Sequence, residues 1–518
     1  MIRRFGICFI LLGAFLFVKG QQNLIPLNYQ INQEIGYYSA FESSPHHVGA
    51  RPLVRGFNHE RIYRKAFVDT GKYYYDLTVL LFQKNLLQID RDDVHLTFDP
   101  LIDFAGGASN RNTLRPLDGV LYNTRAFRIT GEVTNRVYFE TSFYENQFYF
   151  PVYIDSVADQ RGLVPGLGRS KPFKLIGHDI GTSTGLLSIG LTSNINLQFG
   201  HGKLFYGHGY RSVLLSDGAS NYPYLSARWQ SKNRKWQYHS NMAWLQTMTR
   251  LPATNSVEAL FIRKGGNFNY LSYVPNRKWE FGLFEGKIFD QYDSLGIRNP
   301  SLDYFIPIIG LGSGSNFSQE GNNVITGLNL LYKLDTNIHL YGQIASQLNS
   351  KISSQLGVRW FNPLDLEKTW ISFEWNQAPK YMYLNSEEHR FQNYAHSREA
   401  LAHILGAGFN EVVLQANTQY GRGYSRLQSN YSIRRSDDNF FYGADINSNT
   451  SYTDIATDEK KFTSFFLSLE TGMNLNIKTR MQLYAKYTVR TLSGDYKQSE
   501  NFWLIGLRTN LRNIYHDF

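Results

Sequence analysis

The sequence predicts an all-β fold, a transmembrane outer-membrane β-barrel of about 18 antiparallel strands with short periplasmic turns, long extracellular loops and a small, partly helical N-terminal segment. Three observations lead there. The chain is hydrophilic, with a mean hydropathy of -0.36, yet it holds 35 Tyr and 36 Phe in 518 residues, a balance that fits a polar interior ringed by aromatic girdles. Apolar residues recur at every second position in segment after segment. The connections between those segments fall into two length classes that alternate along the chain.

Taken in order, the chain opens MIRRFGICFILLGAFLFVKG, with Arg3 and Arg4 before an apolar run over 5–18 and Gly20 before the polar Gln21. This reads as a secretory signal over 1–20, too short and too simply flanked to span a membrane. The one cysteine, Cys8, starts the apolar run instead of following it. A lipoprotein signal is therefore excluded, and the mature chain is expected to carry no disulfide. Such an exported chain is held together by a large core or by a closed hydrogen-bonded sheet. Losing Arg3, Arg4 and Lys19 lowers the formal net charge from +10 to +7, which favours acidic partners weakly and names none. No later stretch reaches the roughly 18 apolar residues of a spanning helix.

Residues 21–93 alternate poorly. Within them, NHERIYRKAFVDTGKYYYDLTVLLFQKNLLQI offers Asn58 as a helix cap and a mixed apolar spacing, which predicts a helical segment before or under the barrel. The expected organisation is thus a signal at 1–20, a periplasmic or plug segment at 21–93 and the barrel at 94–518. Strands are expected at 94–104, 120–132, 136–149, 184–191, 195–202, 223–230, 236–248, 267–273, 278–289, 322–334, 336–347, 351–361, 368–378, 410–421, 424–434, 461–475, 478–490 and 501–511. The alternation is clearest near the end, where Met481, Leu483, Ala485, Tyr487 and Val489 interleave with Gln482, Tyr484, Lys486 and Thr488. A sandwich would alternate too. Only a barrel sorts its links by parity: 192–194, 231–235, 335–336 and 421–422 on one side, and 150–183, 203–222, 290–321, 379–409 and 435–460 on the other. The chain closes NIYHDF, and a terminal aromatic suits the barrel-assembly machinery. Phe518 is nonetheless out of phase with Trp503, Ile505, Leu507 and Leu511, so a bulge or a tail is expected to intervene.

The stretch FGHGKLFYGHGYRSVLLSD at 199–217 concentrates Gly200, Gly202, Gly207 and Gly209 with basic and aromatic residues. A nucleotide phosphate loop is set aside, because no Lys-Ser/Thr pair and no helical period follow the glycines. By parity the stretch lies at the outer rim or folds into the mouth. Two readings then stand side by side. In one, His201, Lys203, Tyr206, His208, Tyr210, Arg211 and Asp217 offer charge-assisted hydrogen bonds and stacking to an acidic glycan. In the other, an infolded loop spends the same groups on the barrel wall.

Arg125 and Arg128 cannot share a face of one strand; one could join an inward basic cluster, but rim snorkelling or pairing with Glu132 or Glu140 is the stronger reading. HSREALAH sets His396, Glu399 and His403 at spacings that would align on a helix but match no established zinc motif, and the histidines of SPHHVGARP are similarly nonspecific. There is no cysteine nucleophile in the expected mature chain. No metal, no cofactor and no nucleic-acid partner is expected.

NTRAF at 123–127, FYENQFYFP at 143–151, VPGLG at 164–168, the Gly-His-Gly-Lys to Leu-Ser-Asp block and YGADIN at 442–447 together resemble the capsule-assembly Wzi family, and more narrowly its gliding-motility RemB-type relatives. The resemblance covers most of the mature chain. It implies a non-enzymatic outer-membrane barrel that anchors or organises a surface polysaccharide, in a capsule or gliding context. Membrane lipid, the assembly machinery and gliding or secretion components are its further expected partners. The alternative is a pore, or a structural partner of a secretion or gliding machine. A pore requires an open lumen, whereas a lectin fills it with loops.

Overall fold

The computed structural model describes residues 22–67, 74–111, 119–174, 176–250, 260–293, 296–297, 306–310, 323–347, 351–385, 391–436, 460–494 and 497–518; the expected signal at 1–20 and most of the 435–460 loop lie outside these residues. Eighteen antiparallel strands close into one barrel. The first nine are β1 (Val94–Ser109), β2 (Gly119–Val133), β3 (Val137–Tyr149), β4 (Gly177–Thr192), β5 (Ile195–Gly202), β6 (Tyr222–Gln230), β7 (Trp236–Arg250), β8 (Phe261–Asn276) and β9 (Trp279–Asp290). The others are β10 (Asn323–Lys333), β11 (Ile338–Gln347), β12 (Lys351–Phe361), β13 (Thr369–Ala378), β14 (Phe409–Tyr420), β15 (Gly423–Ser436), β16 (Lys460–Asn476), β17 (Met481–Ser493) and β18 (Lys497–Thr509). Each pairs with the next, and β18 returns to β1 through Phe502↔Ser109 to Arg508↔Asp103.

The links obey the expected parity, with one refinement. Every link on one rim is short, the longest being 362–368, while the opposite rim carries the long ones together with two short hairpin links at 348–350 and 494–496. Strand number and order follow from side-chain alternation, because a period of two assigns each residue a face. Outward lie Leu328, Ile344, Leu356, Phe373, Leu414, Leu469, Tyr487 and Ile505, all exposed; inward lie Asn269, Gln355, Asn376, Gln482 and Thr488, all fully buried. This reverses the polarity of a soluble sandwich and is what lipid outside and polar groups inside demand.

The lumen is filled. Helix α1 (Tyr29–Ala40) starts at Asn28, whose side chain accepts from the Ile31 amide at 3.2 Å. It lies inside the short-turn end, where Glu34 meets Arg480 at 2.8 Å and Gln33 accepts from the Trp370 indole at 2.6 Å. Helix α2 (Glu60–Phe67) follows. Asn58 does not cap it: Asn58 has φ 70° and donates to the Pro45 carbonyl at 3.2 Å. Helix α3 (Asp76–Gln83) sits outside, and helix α4 (Val152–Arg161) tops the long-loop end, closed by Gly162 in the left-handed region at φ 69°.

The tail resolves the phase problem of Phe518. β18 stops at Thr509, and residues 510–518 turn back up the lumen instead of extending the strand. Arg512 donates to Asn146 at 2.6 Å, Asn513 to Asp217 at 2.7 Å, and the Phe518 carbonyl accepts from Arg490 at 2.9 Å. Phe518 therefore packs beside Tyr153, with ring centroids 5.9 Å apart, and a tail intervenes after the last strand, as its phase led one to expect.

Candidate functional site

Between β5 and β6 the chain leaves the wall and enters the lumen. Phe205 and Tyr206 pair with Arg51 and Ala50 of the N-terminal segment in a two-stranded sheet inside the barrel. Leu204, Val213, Leu214 and Leu215 are completely buried against Tyr383, Tyr394 and Leu401 from the link after β13. The hydrophobic core inside the barrel is thus built by these loops packing on inward wall residues such as Phe268, Phe284 and Ile325, and the infolded reading of 199–217 describes its conformation.

The glycines explain how. A Cβ on Gly207 would sit 2.1 Å from the Gln343 amide nitrogen, and one on Gly209 would sit 2.4 Å from Glu374 Oε2. Only bare backbone can pass there. Having passed, it binds the wall directly: the amides of Tyr210 and Arg211 donate to the two oxygens of Glu374 at 2.7 and 3.0 Å. Gln343 donates to the Tyr206 carbonyl at 3.0 Å and accepts from the Val213 amide at 3.0 Å. A glycine-rich turn that resembles an anion-binding loop does cradle an anion, and the anion is a carboxylate of its own barrel.

Arg211 is the electrostatic centre. Its guanidinium lies 3.2 Å from Glu411 and 2.8 Å from Asp517, with all three groups buried. Burial opposes its charge, but the adjacent Asp517 and Glu411 carboxylates hold it well above the ordinary arginine range. His403 completes the cluster, its Nε2 2.8 Å from Glu411; burial pushes this imidazole down, so it serves as a neutral partner. Tyr210 donates to Asp517 at 2.9 Å and meets Tyr29 edge-on at 4.5 Å. Asp217 accepts from Asn513 at 2.7 Å and Tyr515 at 2.8 Å.

The remaining expected residues separate. Tyr206 stacks on Tyr270 at 4.8 Å and accepts from Asn241. His208 lies 3.7 Å from Glu280, yet burial, reinforced by Arg51 and Arg359, depresses its pKa far below normal, so the contact is not an ion pair. His201 and Lys203 are only half-buried, beside a cavity of about 160 Å³ also lined by Arg128, Thr184 and Asn221. Lys203 donates to the carbonyls of Gly166 and Asp217 at 2.9 and 3.1 Å, and burial lowers its pKa against the pull of Asp217 and Glu399.

Sequence reasoning missed Glu374, Glu411 and Asp517, and singled out His403 only as a possible metal ligand. The first two carried one usable signal, a carboxylate on the polar face of an alternating strand. His396, Glu399 and His403 do not line a helix face: Ala395–His396 and Glu399–Ala400 form a small hairpin, and Glu399 accepts the amides of Gly166 and Ser220 at 2.5 and 2.7 Å. No cluster of three metal-ligating groups occurs among the described residues. Arg128 pairs with Glu140 at 2.7 Å, the pairing considered from sequence.

No known protein-family description matches the chain, and no curated protein sequence does. Solved structures do. The chain is similar to Wzi of Escherichia coli, described as an outer-membrane protein involved in group 1 capsule assembly and a carbohydrate-binding β-barrel, with TM-score 0.56, 12% identity, and 93% of this chain and 99% of that chain covered. Pseudomonas aeruginosa OprD gives TM-score 0.42 at 9% identity over 79% of this chain and 94% of that one, and OpdK with vanillate gives 0.44 at 8% over 79% and 97%. At these identities the likeness to Wzi establishes a shared outer-membrane barrel fold.

Proposed function

We propose that this chain is a non-enzymatic outer-membrane barrel that holds or organises an acidic surface polysaccharide at its long-loop rim. The carrying observation is the filled lumen. α1, the 203–221 loop and the C-terminal tail are tied to the wall and to each other by buried charge pairs and hydrogen bonds, which makes the barrel a pedestal and not a conduit. Charge at the rim supports an acidic ligand: Arg169, Lys171, Lys174 and Arg263 are exposed, and Arg169 and Arg250 flank the Phe261 ring at 5.2 and 4.9 Å. The fold shared with a carbohydrate-binding barrel agrees with it.

Within the 199–217 stretch the roles divide by burial. Tyr206, His208, Tyr210, Arg211 and Asp217 set the platform, and half-buried Lys203 and His201 are the members able to meet a sugar. The test is binding of the producing strain's polysaccharide to the purified barrel. Binding is expected to weaken as ionic strength rises, since exposed charge contacts are screened, and to fall in Lys203→Ala with the fold unchanged. Binding that is absent at low salt, or equal at low and high salt, contradicts the acidic-glycan reading. A narrower place beside gliding or secretion components is separated by a deletion strain, in which shed capsule and lost motility are distinct outcomes.

A further inference from the structure

Residues 74–91 lie outside the lumen and break the rule that soluble helices hide their apolar side. α3 reads DLTVLLFQ, and none of its side chains is buried. Tyr74 is 87% exposed, Tyr75 75%, Leu77 65%, Leu81 51%, Leu87 59% and Ile89 52%, a contiguous apolar surface of the kind that marks an interaction site.

The register shows which surface it joins. Leu87–Arg91 pairs antiparallel with the start of β1, Leu87 opposite Phe98 and Ile89 opposite Leu96. Directly opposed residues share a face, and on β1 that face is the outward one, because the intervening Asp99 and Leu101 are buried and Phe104 is exposed. Phe98 stacks at 6.3 Å from Phe127 of β2. The apolar surface of 74–91 is thus continuous with the barrel's lipid face. It also completes the barrel's seam: β18 covers β1 only from Asp103 to Ser109. The Val94 to Phe98 backbone would otherwise be an open edge, which hydrocarbon does not tolerate.

Its level matches the girdle. At the short-turn rim Trp236 stacks on Tyr273 and Trp279 on Tyr332, each at 4.1 Å, marking where lipid meets water. α3 is fixed at that same rim: Asn476 donates to the Leu81 and Lys84 carbonyls at 2.9 and 3.0 Å, and Arg422 lies 5.1 Å from the Phe82 ring.

From these contacts we infer that residues 74–91 are a lipid anchor. α3 lies in the plane of the leaflet at the short-turn rim, with Leu77 and Leu81 among acyl chains and Tyr74 and Tyr75 at headgroup level. Cys8 is the only cysteine, so a Cys8→Ser background accepts single labelling sites. Spin labels at Leu77→Cys and Leu81→Cys, in the full chain reconstituted into phospholipid vesicles, are expected to collide more with oxygen than with a water-soluble nickel chelate, as a label at Leu469→Cys does. Dominant nickel collisions, as at Lys232→Cys in an exposed turn, overturn the inference. So does exclusion of both reagents, which would mean that a second copy or another protein covers the helix.

Discussion

At the scale of the residue, Arg211 shows what the loop depends on. Replacing it by alanine leaves Glu411 and Asp517 buried without their cation, and breaking a buried pair in this way costs about 3–5 kcal/mol. Arg211→Ala is therefore expected to lower the unfolding temperature on heat-modifiability gels, whereas Lys203→Ala, half-buried and bonded to two carbonyls, leaves it nearly unchanged. Equal unfolding temperatures for wild type and Arg211→Ala would refute the structural role. The same residue marks the limit of the sequence reading. Its kind, charge and neighbours suggested a binding group, and it is one, but its acceptor Glu374 lies 163 positions away and Asp517 lies 306 away. Nothing local could distinguish an external acid from these internal ones.

At the scale of the element, legibility followed the polarity of the surroundings. The strands were readable because each has lipid on one face and a polar lumen on the other. α1 was not, because its buried surface carries Gln30, Asn32, Gln33 and Glu34 to suit a polar wall, and the apolar stripe that announces a helix in a soluble core narrows to Ile31 and Ile35. Two predictions belong here. Leu469 sits mid-strand on the lipid face, 51% exposed, so Leu469→Arg is expected to cost about 2–4 kcal/mol. Lys486→Arg, lining a lumen cavity, should cost far less; equal loss of folded barrel in urea titrations of both would reverse the face assignment. The second concerns acid. Burial lowers His46 from the ordinary 6.5 to about 3 and His47 to about 4. The unfolded segment then binds protons that the folded one refuses, so the stability tied to neutral histidines is complete above about pH 6.5 and falls as pH drops toward 4. Proteolysis of the 22–67 segment should accelerate over that window while the barrel strands stay protected. A rate independent of pH after correction for the protease would contradict it.

At the scale of the whole molecule, the parity of the links was legible and the closed lumen was not, because loop length gives the rim a loop belongs to and not the direction in which it folds. Conductance tests the difference. The wild-type chain in a planar bilayer is expected to pass no steady current. Removal of residues 515–518 takes away the tail's hold on Arg211, Tyr210 and Gln428 and is expected to produce discrete current steps. Stable wild-type channels would favour the pore reading, and a silent tail variant would mean that α1 and the 203–221 loop suffice to seal the barrel.

Glu374 grips the loop by its main chain, not by its side chains. A clasp on amides is indifferent to what those residues display, provided Gly207 and Gly209 keep the backbone able to pass. Letters whose side chains take no part in those buried contacts can be rewritten without moving the loop, so one barrel can serve as a mount whose displayed chemistry changes while its fastening stays the same.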